Sequence, residues 1–187
     1  MIIVIEGPSG AGKDSTINYF ITKQPDRFEK IISLTTRPMR EYEKQGNPYY
    51  FVTDAEFDKM VKTGDIFEWT SRHGTRRGMS EKYIKQILDK GKIALKDCDL
   101  VGVRALQKKF GRENVISIFL LATKDMTESR LRKRGDSEAE IINRLKDYDN
   151  NIKEAQYYDH VTDGNLTVKE TVDNIIKIVY NSVYGKK

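Results

Sequence analysis

The chain of 187 residues lacks several features that would place it in other protein classes. Its single cysteine, Cys98, excludes an internal disulfide and is typical of proteins in a reducing cytoplasm. No apolar run approaches the roughly 20 residues of a membrane-spanning helix, and the first residues are typical of a strand, not of a signal peptide. No repeat, low-complexity segment or linker rich in proline and glycine divides the chain. We therefore expect one cytoplasmic domain with no membrane partner.

The positive charge of the chain is moderate and is not gathered into a long basic tail. The formal net charge is +5, and a basic balance can indicate binding to nucleic acid. The arginines cluster near motifs, however, and the binding of phosphorylated small molecules explains them equally well. The length and the 38% of hydrophobic residues allow one α/β domain with a sizeable core. We expect small-molecule substrates, no nucleic acid, and a monomer or homodimer.

The most informative stretch present is the first one, where an apolar run at residues 2–5 leads through a glycine-rich turn into a helical pattern. The glycines let successive N–H groups point at one centre, and the helix N-terminus adds its positive dipole. Lys13 supplies a full charge for the outer phosphates of a nucleotide. This spacing predicts a P-loop, and the alternative is a turn that binds nothing. The predicted ATP-binding residues here are Gly7, Pro8, Ser9, Gly10, Ala11, Gly12, Lys13, Asp14 and Ser15.

The residue after the lysine departs from the P-loop pattern. Where a serine or threonine usually ligates Mg²⁺, the chain has Asp14, followed by Ser15. The carboxylate of Asp14 can bind the metal, bind the water molecules of the metal or cap the helix. Asp97 ends an apolar strand opposite the P-loop, where a carboxylate usually meets Mg²⁺ or its waters. We predict a Mg²⁺ site formed by Asp14, Ser15 and Asp97.

Strand and helix patterns alternate along the chain, which predicts a parallel sheet flanked by helices, with ligands at the carboxyl ends of its strands. The predicted strands are 2–5, 30–34, 49–52, 66–70, 92–97, 115–121 and 160–162, and a turn is predicted at 74–78. The predicted helices are 13–23, one capped by Asp54, 81–90, 101–110, 125–157 and one starting at Thr167 with Glu170 as its capping-box partner. The helical pattern of 125–157 is broken at residues 134–136 and restarts at a capping box of Ser137 and Glu140.

Polar side chains gather at the predicted strand ends and helix ends. Glu68 ends a strand beside Trp69, and it is either a surface salt bridge or a functional group. The helix dipole stabilises a cationic helix end, and this accounts for Arg132 and Lys133. Arg134 lies at a glycine break, where its charge can swing over a ligand. We therefore predict a functional role for Arg134.

In their order along the chain, these motifs resemble those of guanylate kinases. They are GPSGAGK, Ser-x-Thr-Thr-Arg-x-x-Arg, Gly-x-x-Tyr-x-Phe, Phe-Glu-Trp, Asp-x-Asp and Arg-x-x-x-Arg-Gly, and the resemblance runs from Ile2 to about Ile178. It implies a P-loop NTPase-like parallel sheet flanked by helices, within a single domain. The parts it implies are a core at 1–33, 89–123 and 151–187, an inserted mixed acceptor-binding region at 34–88 and a helical lid at 124–150 that closes over ATP.

The resemblance also implies roles for individual residues. Glu68 can accept hydrogen bonds from both N1–H and the exocyclic amine of guanine, whereas N1 of adenine is itself an acceptor. The implied acceptor-binding residues are Ser33, Arg37, Arg40, Tyr49, Glu68, Arg77 and Asp99. Arg130 and Arg134 would bind ATP, and the implied catalytic residues are Lys13, Arg37, Arg134 and Arg144.

The chain departs from the family pattern beside the base. The family usually has Tyr-Tyr-Gly followed by Thr or Ser, whereas this chain has Arg76-Arg77-Gly78-Met79. Arg77 can take over phosphate binding as a bidentate fork. Met79 cannot hydrogen-bond a base, and Ser80 is interpreted as a helix N-cap. The GKDS stretch and the segment from Asp163 are also similar to ribosyl bisphosphate phosphokinases.

We therefore predict an ATP- and Mg²⁺-dependent nucleoside monophosphate kinase with GMP or dGMP as acceptor. The alternatives are a kinase for other (deoxy)nucleoside monophosphates, a ribose bisphosphate phosphokinase and a non-catalytic guanylate-kinase-like binding module. Glu68, Tyr49 and Asp99 argue against the sugar phosphate, and a binding module would not need Lys13 or the lid arginines. The expected catalysis is positioning plus neutralisation of charge.

Overall fold

Two β-sheets organise the computed structural model, which describes residues 1–72 and 74–184. The strands of the first sheet are β1 Ile2–Glu6, β2 Phe28–Lys30, β7 Ile93–Lys96, β8 Val115–Leu121 and β9 His160–Asp163. Their order is β2-β7-β1-β8-β9, and every pairing between them is parallel. The predicted parallel sheet is confirmed.

Helices cover both faces of this sheet. One face packs against α1 Lys13–Lys23 and α8 Val168–Tyr184, and the other against α3 Glu81–Asp89 and α4 Leu100–Phe110. The remaining helices are α2 Asp54–Lys62, α5 Lys124–Arg134, α6 Glu138–Leu145 and α7 Tyr148–Glu154. Side chains alternate along β1, so that Ile3 packs against α1 and α8 while Val4 packs against α3 and α4. Burial on both faces explains why the central strands are continuous apolar runs. None of the helices in the described ranges is long and apolar enough to cross a membrane.

The second sheet contains four short strands from one part of the chain. They are β3 Leu34–Thr35, β4 Tyr50–Phe51, β5 Ile66–Arg72 and β6 Thr75–Ser80, in the order β4-β3-β6-β5. β3 and β4 are parallel and the other pairs are antiparallel, and Phe57 of α2 packs on this sheet. The predicted boundaries at 34–88 and 124–150 stay predictions, and residues 185–187 of the predicted core lie outside the described residues.

Two predicted elements of the chain are wrong. The strand at 30–34 is divided, because β2 ends at Lys30 and Leu34 already belongs to the second sheet. The apolar pattern continues across the break because Ile31 is buried too. The turn at 74–78 is largely strand β6, in which Arg77 pairs with Thr35 across 42 positions of sequence. Long-range pairing has overridden the turn preference of the two glycines.

The helices agree with the predictions apart from three corrections. Thr53, not Asp54, caps α2, because its hydroxyl accepts the Glu56 N–H in a capping box. The helical pattern after residue 124 has a second break before Tyr148. The apolar spacing of α8 also predicts Ile176 on the buried face of that helix, and this is wrong because Ile176 is exposed. The predicted capping boxes of Ser137 with Glu140 and of Thr167 with Glu170 are confirmed.

Candidate nucleotide-binding site

The turn between β1 and α1 lies directly against its neighbours. Gly7 and Gly10 have positive φ angles of 151° and 88°. A Cβ at Gly7 would lie 2.6 Å from the carbonyl oxygen of Leu120, and a Cβ at Gly10 would lie 2.7 Å from that of Thr127. Only glycine therefore fits at these two positions.

The N-terminus of α1 has no side-chain cap. Gly12 precedes it in a left-handed conformation, and the first N–H groups receive no side-chain acceptor. By contrast, side chains of Thr53, Ser80, Asp99, Thr123 and Ser137 cap the next five helices. An uncapped, positively polarised helix end is able to bind an anion.

Lys13 lies folded back over this turn. Its Nζ donates to the carbonyl oxygens of Gly7 and Pro8 and lies 3.8 Å from a carboxylate oxygen of Glu6. Burial raises the pKa of Glu6, and the charge of Lys13 opposes that increase. The ammonium group therefore lies beside the free helix end, within reach of an anion bound there.

A cavity of about 710 Å³ opens in front of the P-loop. Its walls come from α1, from the arginines of α5 and α6 and from the start of α8. Of the predicted ATP-binding and catalytic residues, it is lined by Ser9, Gly10, Ala11, Gly12, Lys13, Asp14, Ser15, Arg130, Arg134 and Arg144. We call it the donor cavity.

Two arginines of the donor cavity share one carboxylate that the sequence analysis missed. Arg134 donates to Asp136, and Nε of Arg144 lies 3.1 Å from the same carboxylate. The hydrogen bond from Arg134 holds the pKa of Asp136 below its ordinary value, and Arg144 adds to this effect. Arg144 also lies 3.4 Å from Oγ of Ser9. The only signal in the sequence was the position of Asp136 beside the glycine break.

Arg130 has a different set of partners. Its guanidinium donates to the carbonyl oxygens of Ala11 at 3.0 Å, Gly164 at 2.7 Å and Leu166 at 3.1 Å. Burial lowers its pKa. Arg130 therefore links the P-loop to the loop before α8, and its predicted contact with ATP stays a prediction.

A second cavity, of about 470 Å³, lies between the two sheets, and we call it the acceptor cavity. Asp14 lines both cavities, so that they adjoin at the first turn of α1. The walls of the acceptor cavity include the predicted residues Ser33, Tyr49, Glu68, Arg77, Asp97 and Asp99, but not Arg37 or Arg40.

The cationic end of the acceptor cavity is built around one aromatic ring. The guanidinium groups of Arg77 and Arg37 lie 4.9 Å and 5.9 Å from the centroid of the Tyr49 ring. Arg37 donates to Glu43 at 2.7 Å, and this bond holds the pKa of Glu43 below its ordinary value. Arg40 is exposed and donates to the hydroxyl of Tyr42 at 2.7 Å. The sequence analysis missed Glu43.

The opposite end of the acceptor cavity contains the carboxylates predicted to bind the base. Glu68 is half-buried, and its pKa is raised first by burial and then by the charge of Asp99. Asp99 accepts the Gly102 N–H at 3.0 Å as the cap of α4. Met79 forms an apolar wall and is 2% exposed. The N-cap interpretation of Ser80 is confirmed, because its Oγ accepts from the first turn of α3.

Lys96 is a further wall residue of the acceptor cavity that the sequence analysis missed. It ends β7, is 8% exposed and donates from Nζ to Oγ of Ser33 at 2.7 Å. Burial lowers its pKa. The signal was available in the sequence, because a lysine at the end of the apolar residues 93–95 is an unusual choice for a buried strand.

The predicted Mg²⁺ residues lie where the cavities meet. The side chain of Asp14 is 73% exposed and pairs with Lys30 at 3.3 Å, Ser15 lines the donor cavity, and Asp97 lines the acceptor cavity. No group of three or more histidine, cysteine or acidic residues able to hold a metal occurs within residues 1–72 and 74–184. Mg²⁺ bound together with substrate phosphates needs only one or two carboxylates, so these residues fit an ion that accompanies the nucleotide.

The chain is similar over nearly its whole length to known guanylate kinases. The guanylate kinase family model matches residues 1–182. A guanylate kinase of Fusobacterium nucleatum is 33% identical over 186 residues, covering 97% of either chain, and one of Thermotoga maritima is 30% identical, covering 95% of this chain and 85% of its own. The crystal structure of guanylate kinase from Anaplasma phagocytophilum superposes with a TM-score of 0.66 at 30% identity, over 96% of this chain and 84% of that one. With its P-loop and adjoining second cavity inside the matched residues, the chain belongs to the guanylate kinase family of nucleoside monophosphate kinases.

Proposed function

We propose that the protein transfers the terminal phosphoryl group of ATP to GMP or dGMP. The observation that carries this proposal is that the donor and acceptor cavities adjoin at Asp14. One cavity is bounded by a P-loop and the other by a half-buried carboxylate, Glu68. Two nucleotides bound in this way would bring their phosphates together at the first turn of α1.

The donor cavity is suited to the phosphates of ATP. The uncapped N–H groups of α1 and the ammonium of Lys13 offer donors to the phosphate oxygens. Arg134 and Arg144 lie beside them in ion pairs with Asp136, and the phosphates would compete for these guanidinium groups. Mg²⁺, held with the phosphates by Asp14, Ser15 or Asp97, would neutralise part of the charge that develops during transfer.

The acceptor cavity is suited to a guanine nucleotide. Glu68 and Asp99 would accept hydrogen bonds from N1–H and the exocyclic amine of the base. Arg77, with Arg37 behind Tyr49, would bind the monophosphate. Adenine presents an acceptor at N1 toward the same carboxylates. A cavity of this kind rejects adenine because its buried acceptors would be left unpaired.

The transfer itself needs no general base. A phosphate monoester has a second pKa on the order of 6, so its attacking oxygen is already largely ionised at neutral pH. Positioning of the two phosphates and neutralisation of their charge are then the main contributions of the protein.

One observation favours a second candidate, a kinase for another deoxynucleoside monophosphate. Met79 places an adaptable apolar side chain in the base-binding part of the acceptor cavity. It forms no hydrogen bond that would reject a different base. No such observation favours the other two alternatives. In a ribose bisphosphate phosphokinase, Glu68 would have no base to bind. A non-catalytic binding module would need neither Lys13 nor the lid arginines.

A panel of acceptors tests the proposal. Purified protein would be supplied with Mg·ATP and, in turn, GMP, dGMP, AMP, dTMP, dCMP and a ribose bisphosphate, and kcat/KM would be compared. We expect a guanine nucleotide to give the highest value. A higher value with another deoxynucleotide would support the second candidate, and no transfer to any acceptor would contradict the kinase assignment in full.

A further inference from the structure

We infer that Lys96 is a specificity-determining residue of the acceptor cavity, and that its Nζ donates a hydrogen bond to the oxo oxygen at position 6 of the guanine base. The inference rests on the proposed function and deepens it. No motif used in the sequence analysis includes Lys96. The inference is based on three observations: the position of the Lys96 side chain, its burial and the small number of hydrogen bonds that its Nζ makes.

Lys96 stands at the carboxyl end of a central strand, which is the edge of a parallel sheet where ligands bind. Its side chain is 8% exposed and lines the acceptor cavity together with Ser33, Glu68 and Met79. Nζ carries three N–H donors, of which one is directed at Oγ of Ser33, at 2.7 Å. Within the described residues, Nζ makes no second hydrogen bond and no ion pair with a carboxylate.

A buried lysine without a paired carboxylate is energetically costly. Removing an ammonium group from water is repaid only when close partners replace the lost hydration. Asp97 and Glu68 act on Lys96 electrostatically, but neither forms an ion pair with it. Nζ therefore has one protein partner for its three N–H groups at the wall of a cavity, where an acceptor atom of a bound base would supply another.

The polar groups of the cavity form a pattern that matches one class of base. Lys96 is a donor, Ser33 accepts from Lys96 and can donate its own hydroxyl proton, and Glu68 and Asp99 are acceptors. A 6-oxopurine presents an acceptor oxygen beside the N1–H donor, and guanine adds an amine donor. A 6-aminopurine presents a donor and an acceptor in the reverse order. Lys96 thereby supplies the hydrogen-bond donor that Met79 is unable to provide.

A purely structural role for Lys96 makes a different prediction. Its bond to Ser33 joins β7 to the segment that crosses between the two sheets. If that bond served only to hold the segment, its loss would destabilise the protein and reduce the phosphorylation of every acceptor by the same factor. Recognition of the oxo oxygen predicts a loss that depends on the atom at position 6.

The experiment compares GMP with 6-thio-GMP, in which a poor acceptor, sulfur, replaces the oxo oxygen while N1–H and the amine remain. In the unmodified protein we expect kcat/KM to be about tenfold lower for 6-thio-GMP, as for the loss of one hydrogen bond to a charged donor. In Lys96→Met, which retains the length and volume of the side chain, we expect the two acceptors to differ by less than about twofold. The difference between the two ratios is the coupling between Nζ and position 6.

Two further variants and a melting curve complete the test. Lys96→Gln keeps an N–H donor and should retain part of the preference for GMP, and it serves in place of Lys96→Met if that variant does not fold. Lys92→Met changes a lysine that pairs with Glu29 outside the cavity, and it should keep the full preference. Lys96→Met should melt at or above the temperature of the unmodified protein, because it removes a buried charge.

The outcomes separate the inference from the proposed function. If the unmodified protein phosphorylates GMP and Lys96→Met keeps the same GMP to 6-thio-GMP ratio, the role of Lys96 is overturned while the function stands. If a 4-oxopyrimidine nucleotide is the best acceptor, the GMP proposal fails, and the 4-oxo and 4-thio pair of that base decides the role of Lys96. If the best acceptor has no oxo group beside a ring N–H, or no acceptor reacts, both fail.

Discussion

The two cavities of this protein are built in different ways. One side of the donor cavity is formed by eight consecutive residues, 9–16, at the turn and the first helical turn of α1. The acceptor cavity draws single side chains, such as Ser33, Glu68 and Lys96, from strands and loops far apart in the chain. In the proposed function, phosphate recognition by this turn would be local and would tolerate little change. Base recognition by side chains would depend on the tertiary structure, so that single substitutions could alter it.

Near both cavities, arginines predicted to bind phosphate are nevertheless paired with a carboxylate. Asp136 pairs with Arg134 and Arg144 of the donor cavity, and Glu43 pairs with Arg37, which lies outside the walls of the acceptor cavity. In both places a carboxylate occupies guanidinium donors that a phosphate would use. The carboxylate also reduces the repulsion between neighbouring cations. A phosphate group offers the same bidentate geometry and a higher charge, so it would compete for these donors.

Removal of the lysine charge from the donor cavity should have the strongest effect on turnover. Lys13→Ala should lower turnover about a hundredfold or more, equivalent to about 3 kcal/mol, because the ammonium stabilises charge that develops on the outer phosphates. The variant should fold normally, as shown by circular dichroism and melting. Lys23→Ala, an exposed lysine of the same helix, is the control and should be fully active. Turnover of Lys13→Ala within about threefold of the unmodified protein would disprove the P-loop role.

The next effect concerns the acceptor cavity alone. Glu68→Gln should lower kcat/KM for GMP by about tenfold to a hundredfold, the loss expected for hydrogen bonds to a charged acceptor, and leave KM for ATP unchanged. Glu113→Gln, at an exposed carboxylate, is the matched control. An equal loss of ATP binding would show that the two cavities are not separate in the way that we describe.

The same carboxylate predicts a pH dependence. Burial raises the pKa of Glu68 above its ordinary value of 4.5, so the carboxylate needed for guanine is lost as the pH falls through that higher value. The folded protein binds this proton more tightly than the unfolded chain does, so this group's contribution to stability decreases as the pH rises through the same range. Glu68→Gln should therefore lack this acid limb in kcat/KM and should be at least as stable at neutral pH. An unchanged acid limb in the variant would assign it to another group.

A smaller change should sharpen the base preference. Met79→Thr adds a hydroxyl that can donate to the base, which is worth roughly 0.5–1.5 kcal/mol, or about tenfold at most in the preference for GMP over AMP. Met79→Leu preserves volume and should leave the preference unchanged. Because Met79 is buried, both variants need a melting curve at the assay temperature. A weaker preference in Met79→Thr would show that the apolar wall itself selects guanine.

The smallest expected effect is a change of shape. If the predicted acceptor-binding region and lid close when both cavities are filled, a bisubstrate analogue should reduce the radius of gyration measured by small-angle scattering. ATP alone, which fills one cavity, should give a smaller reduction. An identical scattering curve with and without the analogue would contradict the division into core, acceptor-binding region and lid.

The accuracy of the sequence predictions differs between the same two regions. Strand β1, the glycine turn and helix α1 lie where residues 2–23 predicted them, because their signals are contiguous. In the second sheet, β6 was mistaken for a turn. Arg76 stays extended there because Asp54 and Asp58 bind its guanidinium and Thr36 accepts its backbone N–H, all from distant segments. The turn prediction used only neighbouring residues and therefore could not include those partners.

The family, the P-loop and the alternation of buried strands with helices can all be predicted from the sequence, because each depends on short motifs of adjacent residues or on one repeating period. The packing of the chain was needed to show that Lys96 is a wall of the acceptor cavity, that Asp136 pairs with two arginines and that Arg130 donates to three carbonyl oxygens. Hydrogen bonds and charges act over a few ångströms of space. Their partners are therefore set by how the strands and helices pack, which no local pattern of residues records.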